Sequence, residues 1–374
     1  MKNFKAGIYI NQGYYKSYQP ELINKQLLID NMEVLQLLSK ADRELGRLDM
    51  YSNYIPNVDL FISMHVAKEA TQSSRIEGTQ TNIDDALLDK EDIPLDKRDD
   101  WEEVQNYIKA MEWAVLALDK LPFSARLIRE AHKVLLQGVR GEKKQPGEFR
   151  TSQNWIGGAT INDAVFVPPV HTTVPELMSD IEKFLHNEEI HFPELLKIGL
   201  VHYQFETIHP FLDGNGRVGR LLIPLYLVSK GILQKPILYL SDFFEKNRKL
   251  YYDNLTLVRE KNDLNQWFKF FLVGIIQTAE SGIATFDKIL QLQKSTETQL
   301  QTLGSRAANA KKVVDYLYKR PIINAEKISE ITGISMPTAY KLIVDLERLE
   351  ILTEITGGQR GRTYVYDKYF QIFR

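Results

Sequence analysis

The sequence predicts a mainly α protein, and three observations carry that reading. Apolar residues recur at intervals of three and four from residue 20 to about 118, as in Leu22, Leu27, Leu28, Met32, Leu35 and Leu38, which is the period of a helix with one buried face. The same spacing returns over residues 173–186 and 193–208, and again in LLIPLYLVSKG, LSDFFEKNRKLYYDNLTLVRE and NQWFKFFLVGIIQTAESGIATFDKILQLQKSTETQLQTL. Only residues 147–171 and 351–366 alternate as strands do, with β-branched and aromatic residues set among Gly, Asn and Asp.

A chain of 374 residues exceeds what one hydrophobic core serves, so more than one domain is expected. Hydrophobic residues at 44%, charged residues at 26% and a net charge of −2 are those of an ordinary soluble protein. Without cysteine the chain has no disulfide, no thiolate zinc site and no cysteine nucleophile. Its first residues lack the apolar core of a signal peptide, and no run of about 18 apolar residues occurs, so a cytoplasmic protein is expected.

Taken in order, the helical period stops at the acidic stretch LLDKEDIPLDKRDDWEE, residues 87–103. It reads as a solvated loop that restarts a helix near Asp100. A helix over residues 124–136 precedes GEFRTSQNWIGGATINDAVFVPPVH, a predicted β-hairpin or extended flap with its turn at Asn162-Asp163. The apolar helix bounded by Pro193 then runs into HPFLDGNGRVGR, His209 to Arg220. Pro224 falls in the first two turns of the next helix, where a missing donor costs least.

Gly214, Gly216 and Gly219 have the G-x-G-x-x-G spacing of dinucleotide-binding turns, but that turn needs a strand before its first glycine. Here a helix of about 16 residues stands in its place, and the mononucleotide pattern G-x-x-x-x-G-K-[ST] is absent. What remains is the shared physics: small residues let backbone N–H groups and a helix N-terminus approach an anion, with Arg217 and Arg220 on one helix face. His209 can accept a proton near neutral pH, and Asp213 beside polyphosphate is placed to hold a divalent cation. Base, metal ligand and phosphate cradle together describe a transferase.

HPFLDGNGRVGR resembles the signature H-x-F-x-[DE]-G-N-G-R-x-x-R of Fic domains, with every fixed position filled. PGEFRTSQNWIGG through VFVPPV is similar to that family's flap, and ILYLSDFFEKNRKLYYDNLTLV to its later helices. The resemblance implies a Fic helical core with a β-hairpin flap, and transfer of AMP from ATP to a protein hydroxyl with release of pyrophosphate. By the same resemblance His209 takes the proton of the attacking Ser, Thr or Tyr, Phe211 anchors the loop, and Asp213 binds Mg²⁺ (or Mn²⁺). The run Gly214, Asn215, Gly216, Arg217, Val218, Gly219 and Arg220 binds ATP: Asn215 contacts the α-phosphate, the Gly214 and Gly216 amides form the anion hole, and the two arginines hold the β- and γ-phosphates. Tyr251 and Tyr252 resemble adenine-pocket residues, with plain core packing as the other reading. Ile156, Gly157 and Gly158 would offer a backbone edge to a target protein.

SSRIEG, residues 73–78, resembles the family's inhibitory motif [ST]-x-x-x-E-[GN], carried by Ser73, Glu77 and Gly78. Ser73 and Glu77, four apart, share a helix face. The resemblance implies that Glu77 pairs with Arg220 in the space of the γ-phosphate, and it also allows removal of AMP as the reverse activity.

Residues 305–374 carry a net charge of +4 against −6 for the remainder. Helix, short helix, Gly333 turn and a longer helix begun by Ser335 form a helix-turn-helix pattern, and two strands flank a basic wing; the whole resembles a winged helix. Thr338, Tyr340, Lys341, Arg360 and Arg362 are candidate DNA contacts. Winged helices also serve as protein-interaction or dimerisation modules, so a homodimer stands beside DNA as a reading. The expected division is an N-terminal helical region with the inhibitory helix at 1–110, the catalytic core at 111–285, a linker helix at 286–304 and the winged helix at 305–374. The rival reading is a DNA-binding regulator whose Fic fold only senses nucleotide.

Overall fold

The computed structural model describes residues 1–54, 58–357 and 361–374. The chain opens with an antiparallel hairpin, β1 (Gly7–Asn11) and β2 (Lys16–Pro20), with Ile8 opposite Gln19. The helical period expected from residue 20 begins only at α1 (Met32–Tyr54). Asn31 caps α1 by accepting the Val34 N–H at 3.1 Å. Leu22, Leu27 and Leu28 instead lie on extended chain, because the Ile23 N–H is taken by Asp180 at 2.6 Å.

Next come α2 (Val58–Ile76), α3 (Ile83–Ala86), α4 (Arg98–Ala117) and α5 (Ala125–Leu135). The helix restart expected near Asp100 falls at Arg98. Ser124 caps α5, its hydroxyl accepting the Leu127 N–H at 3.4 Å. The predicted hairpin over residues 147–171 is a flap with a single bridge, Ile156 to Phe166. Its tip is a 3₁₀ turn, Ile161–Asp163, closed by the Thr160 N–H on the Asp163 carboxylate at 2.7 Å. Gly157 and Gly158 have φ of +69° and +73°, a left-handed backbone that ends strand pairing after one residue.

The core continues with α6 (Val174–His186), α7 (Glu194–Ile208), α8 (Asn215–Ser229), α9 (Ser241–Lys246), α10 (Arg248–Lys261) and α11 (Leu264–Gln301). Helix α7 is buried on every side from Leu195 to Ile208, as a helix without a polar face must be. Against it, Gly199 leaves room for Phe271, and its carbonyl accepts the Trp267 indole N–H at 2.8 Å. Helix α11 is unbroken through residues 286–301 of the expected linker.

The C-terminal part holds α12 (Ala307–Lys319), β3 (Ile322–Asn324), α13 (Ala325–Thr332), α14 (Met336–Arg348), β4 (Thr353–Glu354), β5 (Thr363–Val365) and α15 (Asp367–Phe370). Its sheet is antiparallel in the order β3–β5–β4. Gly333, at φ +73°, separates α13 from α14. Arg360 lies outside the described residues. Among the described residues no helix is long and apolar enough to cross a membrane.

Candidate active site

The site forms where α7 gives way to α8. His209 ends α7 in a left-handed conformation, φ 50° and ψ 60°, with its N–H still on the Phe205 carbonyl at 2.9 Å. Glycine is the usual residue at such a cap. A histidine there implies that its surroundings hold the backbone in place. They do so through three side chains. The fully buried Phe211 lies flat on His132 of α5 at 3.7 Å between ring centroids. Asn215 brackets the Phe211 peptide, its Oδ1 accepting the N–H and its Nδ2 donating to the carbonyl, both at 2.8 Å. Arg150 of the flap, 2% exposed, donates to the His209 carbonyl at 2.9 Å and the Pro169 carbonyl at 2.6 Å.

His132 is a further prop. The Gly147 N–H donates to its Nδ1 at 2.8 Å, which leaves Nε2–H to donate to the Asp213 carbonyl at 3.0 Å. Burial pushes its pKa down to about 4, in keeping with this neutral tautomer.

Beyond the loop, Gly214 at φ 74° turns the chain into α8. The positive end of a helix and two glycines make an anion site. That space is filled by Glu77. A Cβ on Gly216 would lie 2.2 Å from Glu77 Oε1, so the carboxylate rests directly over the first turn of α8. Its Oε1 also accepts from Arg220 Nη2 at 2.6 Å, while Arg220 donates through Nε to the Ser73 hydroxyl at 2.8 Å and through Nη2 to the Ser73 carbonyl at 2.9 Å. Ser73 is in the last turn of α2, and Glu77 follows the helix end directly. The motif spacing places both on one arginine.

Charge follows this geometry. Burial works to raise the Glu77 pKa, but Arg220 outweighs it, with help from Arg217 and His209, and holds the carboxyl below the usual glutamate value. Burial likewise opposes the Arg220 charge, and Glu77 more than restores it. For His209, burial and the Arg150 charge prevail over Glu77 and push the imidazole down to about 4. It is neutral at pH 7 and able to accept a proton. Asp213 is 41% exposed; its Oδ1 accepts the Gly214 N–H at 2.6 Å and faces Arg217 Nη2 at 3.5 Å. Arg217 is 5% exposed and donates to Glu103 of α4 at 3.0 Å.

His209, Asp213, Arg217, Arg220, Ser73 and Glu77 thus converge on one site. Val218 and Gly219 do not face it: Val218 is 1% exposed with its N–H on the Gly214 carbonyl, and a Cβ on Gly219 would meet Glu206 at 2.1 Å. Tyr251 and Tyr252 divide, because neighbours on a helix point about 100° apart. Tyr251 is core: it is 1% exposed, stacks on Phe244 at 4.5 Å and donates to His202 Nε2 at 2.8 Å, since His202 Nδ1–H serves the Gly219 carbonyl. Tyr252 is 40% exposed. In the flap, Ile156 spends its N–H and its carbonyl on Phe166 and Val165, so the free edge reduces to Gly157 and Gly158. Thr338, Tyr340 and Lys341 are exposed on α14, and Arg362 is paired with Glu354 at 3.4 Å.

Sequence reasoning missed His132, Arg150, Glu206 and Glu103. The acidity of residues 87–103, read as solvation, includes the buried Glu103.

A family model described as Fic/DOC family N-terminal matches residues 35–116, and one described as Fic/DOC family matches residues 122–227. Together they span about half of the chain. The protein adenylyltransferase Fic of Drosophila yakuba is 31% identical over 215 residues, covering 56% of this chain and 40% of that one. Its counterpart in Aedes aegypti is 32% identical over 148 residues, or 38% and 26% of the two chains. The chain therefore spans at most about 40% of the length of these relatives. In fold it is similar to a Fic family protein from Desulfovibrio desulfuricans, with TM-score 0.58 and 19% identity over 91% of this chain and 98% of that one. It is also similar to a Fic domain-containing signaling protein from Bacteroides thetaiotaomicron, with TM-score 0.53 and 19% identity over 68% and 97%. The mostly helical architecture, the motif loop between α7 and α8 and both family matches agree: the chain belongs to the Fic/DOC family.

Proposed function

We propose that this protein is an adenylyltransferase that moves AMP from ATP to a hydroxyl of a target protein or of its own chain, and that Glu77 holds it in a resting state. The supporting observation is the Glu77 carboxylate lying over Gly216 and on Arg220, which marks an anion site occupied by an internal acid. In the reaction the attacking hydroxyl gives its proton to neutral His209 as its oxygen bonds to the α-phosphorus. The bond to pyrophosphate breaks and the pyrophosphate leaves. The amides at the start of α8 and the guanidinium groups of Arg217 and Arg220 meet the phosphate charge, so the rate comes from positioning and pre-aimed donors.

Among the described residues no three His, Asp or Glu side chains cluster as a metal cage. Mg²⁺ does not require one, since it is commonly held by one or two carboxylates together with substrate phosphates and water. Asp213 fits that role, half-exposed at the cleft with one oxygen committed to Gly214. Bound there, the ion would neutralise phosphate charge.

Glu77→Gly is expected to raise incorporation of AMP from α-labelled ATP at least tenfold, by clearing the anion site of an arginine-paired carboxylate worth about 1.4 kcal/mol or more. His209→Ala added to that variant should abolish incorporation while ATP still binds. Unchanged labelling in Glu77→Gly overturns the resting-state reading, and survival of transfer without His209 would favour nucleotide sensing alone.

We further propose that residues 305–374 form a winged helix that binds DNA. Thr338, Tyr340 and Lys341 are exposed on α14, the second helix of the turn. A gel shift with the whole chain should appear at low salt and fade steeply as salt rises. Indifference to DNA at low salt points to a protein partner instead.

A further inference from the structure

The two arginines of the motif are each met by a carboxylate from outside it, and the two carboxylates differ in kind. Glu77 is 35% exposed and sits in the anion space. Glu103 is 6% exposed, on α4, and reaches Arg217 Nη1 from below at 3.0 Å. Its other oxygen accepts from Arg140 Nε at 2.7 Å, so the carboxylate cannot rotate away. Arg140 in turn pairs with Asp100 at 3.2 Å, and Asp100 accepts the Gln80 N–H at 2.8 Å. One ionic chain thus links the turn after Glu77 to the motif.

We propose that Glu103 is the positioning residue of Arg217, fixing the guanidinium so that its free donors face the β- and γ-phosphates. This rests on the adenylyltransferase reading above. Arg217 has five N–H groups, and Glu103 engages one nitrogen. Nη2 points to Asp213 at 3.5 Å, and Nε has no partner among the described residues. A cation this buried needs a fixed counter-charge to keep one geometry. Asp213 cannot be that partner during turnover if its carboxylate turns to a metal ion. Glu103 remains, anchored behind by Arg140.

The test uses the full-length chain carrying Glu77→Gly, so that the anion space is open, and measures ATP and AMP affinity by calorimetry. Adding Glu103→Gln should weaken ATP binding about tenfold or more and leave AMP affinity unchanged, because AMP lacks the phosphates Arg217 would hold. Glu103→Asp should recover part of the loss, and Arg140→Gln, a change at a side chain 60% exposed, should reproduce it weakly. An equal loss for ATP and AMP means Glu103 is merely structural and overturns the proposal. A gain in ATP affinity makes Glu103 a second competitor for the phosphates and also overturns it. If the Glu77→Gly parent binds no ATP at all, the adenylyltransferase reading itself has failed, a result distinct from either.

Discussion

Glu206 lies one turn before His209 and is 8% exposed, with its Oε1 lacking any partner among the described residues. Burial raises its pKa to about 7; Arg220 and Arg259 pull the other way, and Glu77 reinforces burial. Between the ordinary glutamate value near 4.3 and about 7 the folded chain therefore holds a proton that the unfolded chain has lost. Stability contributed by this group must then fall as pH rises through that window, by about 1.4 kcal/mol per unit, and level off above it. Glu206→Gln removes the titration. Melting curves from pH 5 to 8 should show the parent losing stability relative to the variant as pH increases, with the gap constant above about pH 7.5. A gap that does not change with pH would mean Glu206 is already ionised at pH 5. The clustering of the motif residues was legible because they share one short loop and the first turns of α8. Glu206 was not, since its burial is set by α8 and α10, and an acid on an apolar helix carries no mark of its depth.

At the scale of elements, the helices were legible where apolar runs and local caps or breakers mark their ends. The restart at Arg98, the Ser124 cap and the end of α7 at Ile208 follow from local chemistry. Long-range hydrogen bonds defeated the same reasoning at residues 20–31, where Asp180 captures Ile23 from 157 residues away. The flap, read as a β-hairpin or an extended segment, forms one bridge only. Its alternating residues suggested paired strands, yet Arg150 and Asn154 spend their donors on the His209 and Phe211 carbonyls, so the segment is organised around the motif loop rather than around its own ladder. Glu103 was invisible for a similar reason: its partner Arg217 is 114 positions away, and only folding turns an acidic loop into a buried counter-charge.

On the scale of the whole molecule, the C-terminal part rests on α2, the helix that leads into Glu77. Phe61 of α2 packs on Tyr318 at 4.9 Å and Tyr369 at 6.2 Å, and His65 meets Phe373 at 5.1 Å. Arg320 donates to the Leu87 carbonyl at 3.0 Å and pairs with Asp89 at 2.7 Å, fastening the loop beyond Glu77, while Arg374 pairs with Asp84. Helix α2 therefore has Glu77 at one end and the C-terminal aromatics along its start, so loosening the latter should free the former. Phe61→Leu keeps the site apolar but gives up the ring contacts, a loss of about 1 kcal/mol. If half or more of that loss falls on the resting arrangement alone, basal AMP transfer rises roughly two- to fivefold. The decisive comparison is with Glu77→Gly. There the brake is already gone, and Phe61→Leu should add nothing. A gain of equal size in both backgrounds would show that the aromatic contact affects the catalytic core directly, and the C-terminal part would then have no hold on Glu77.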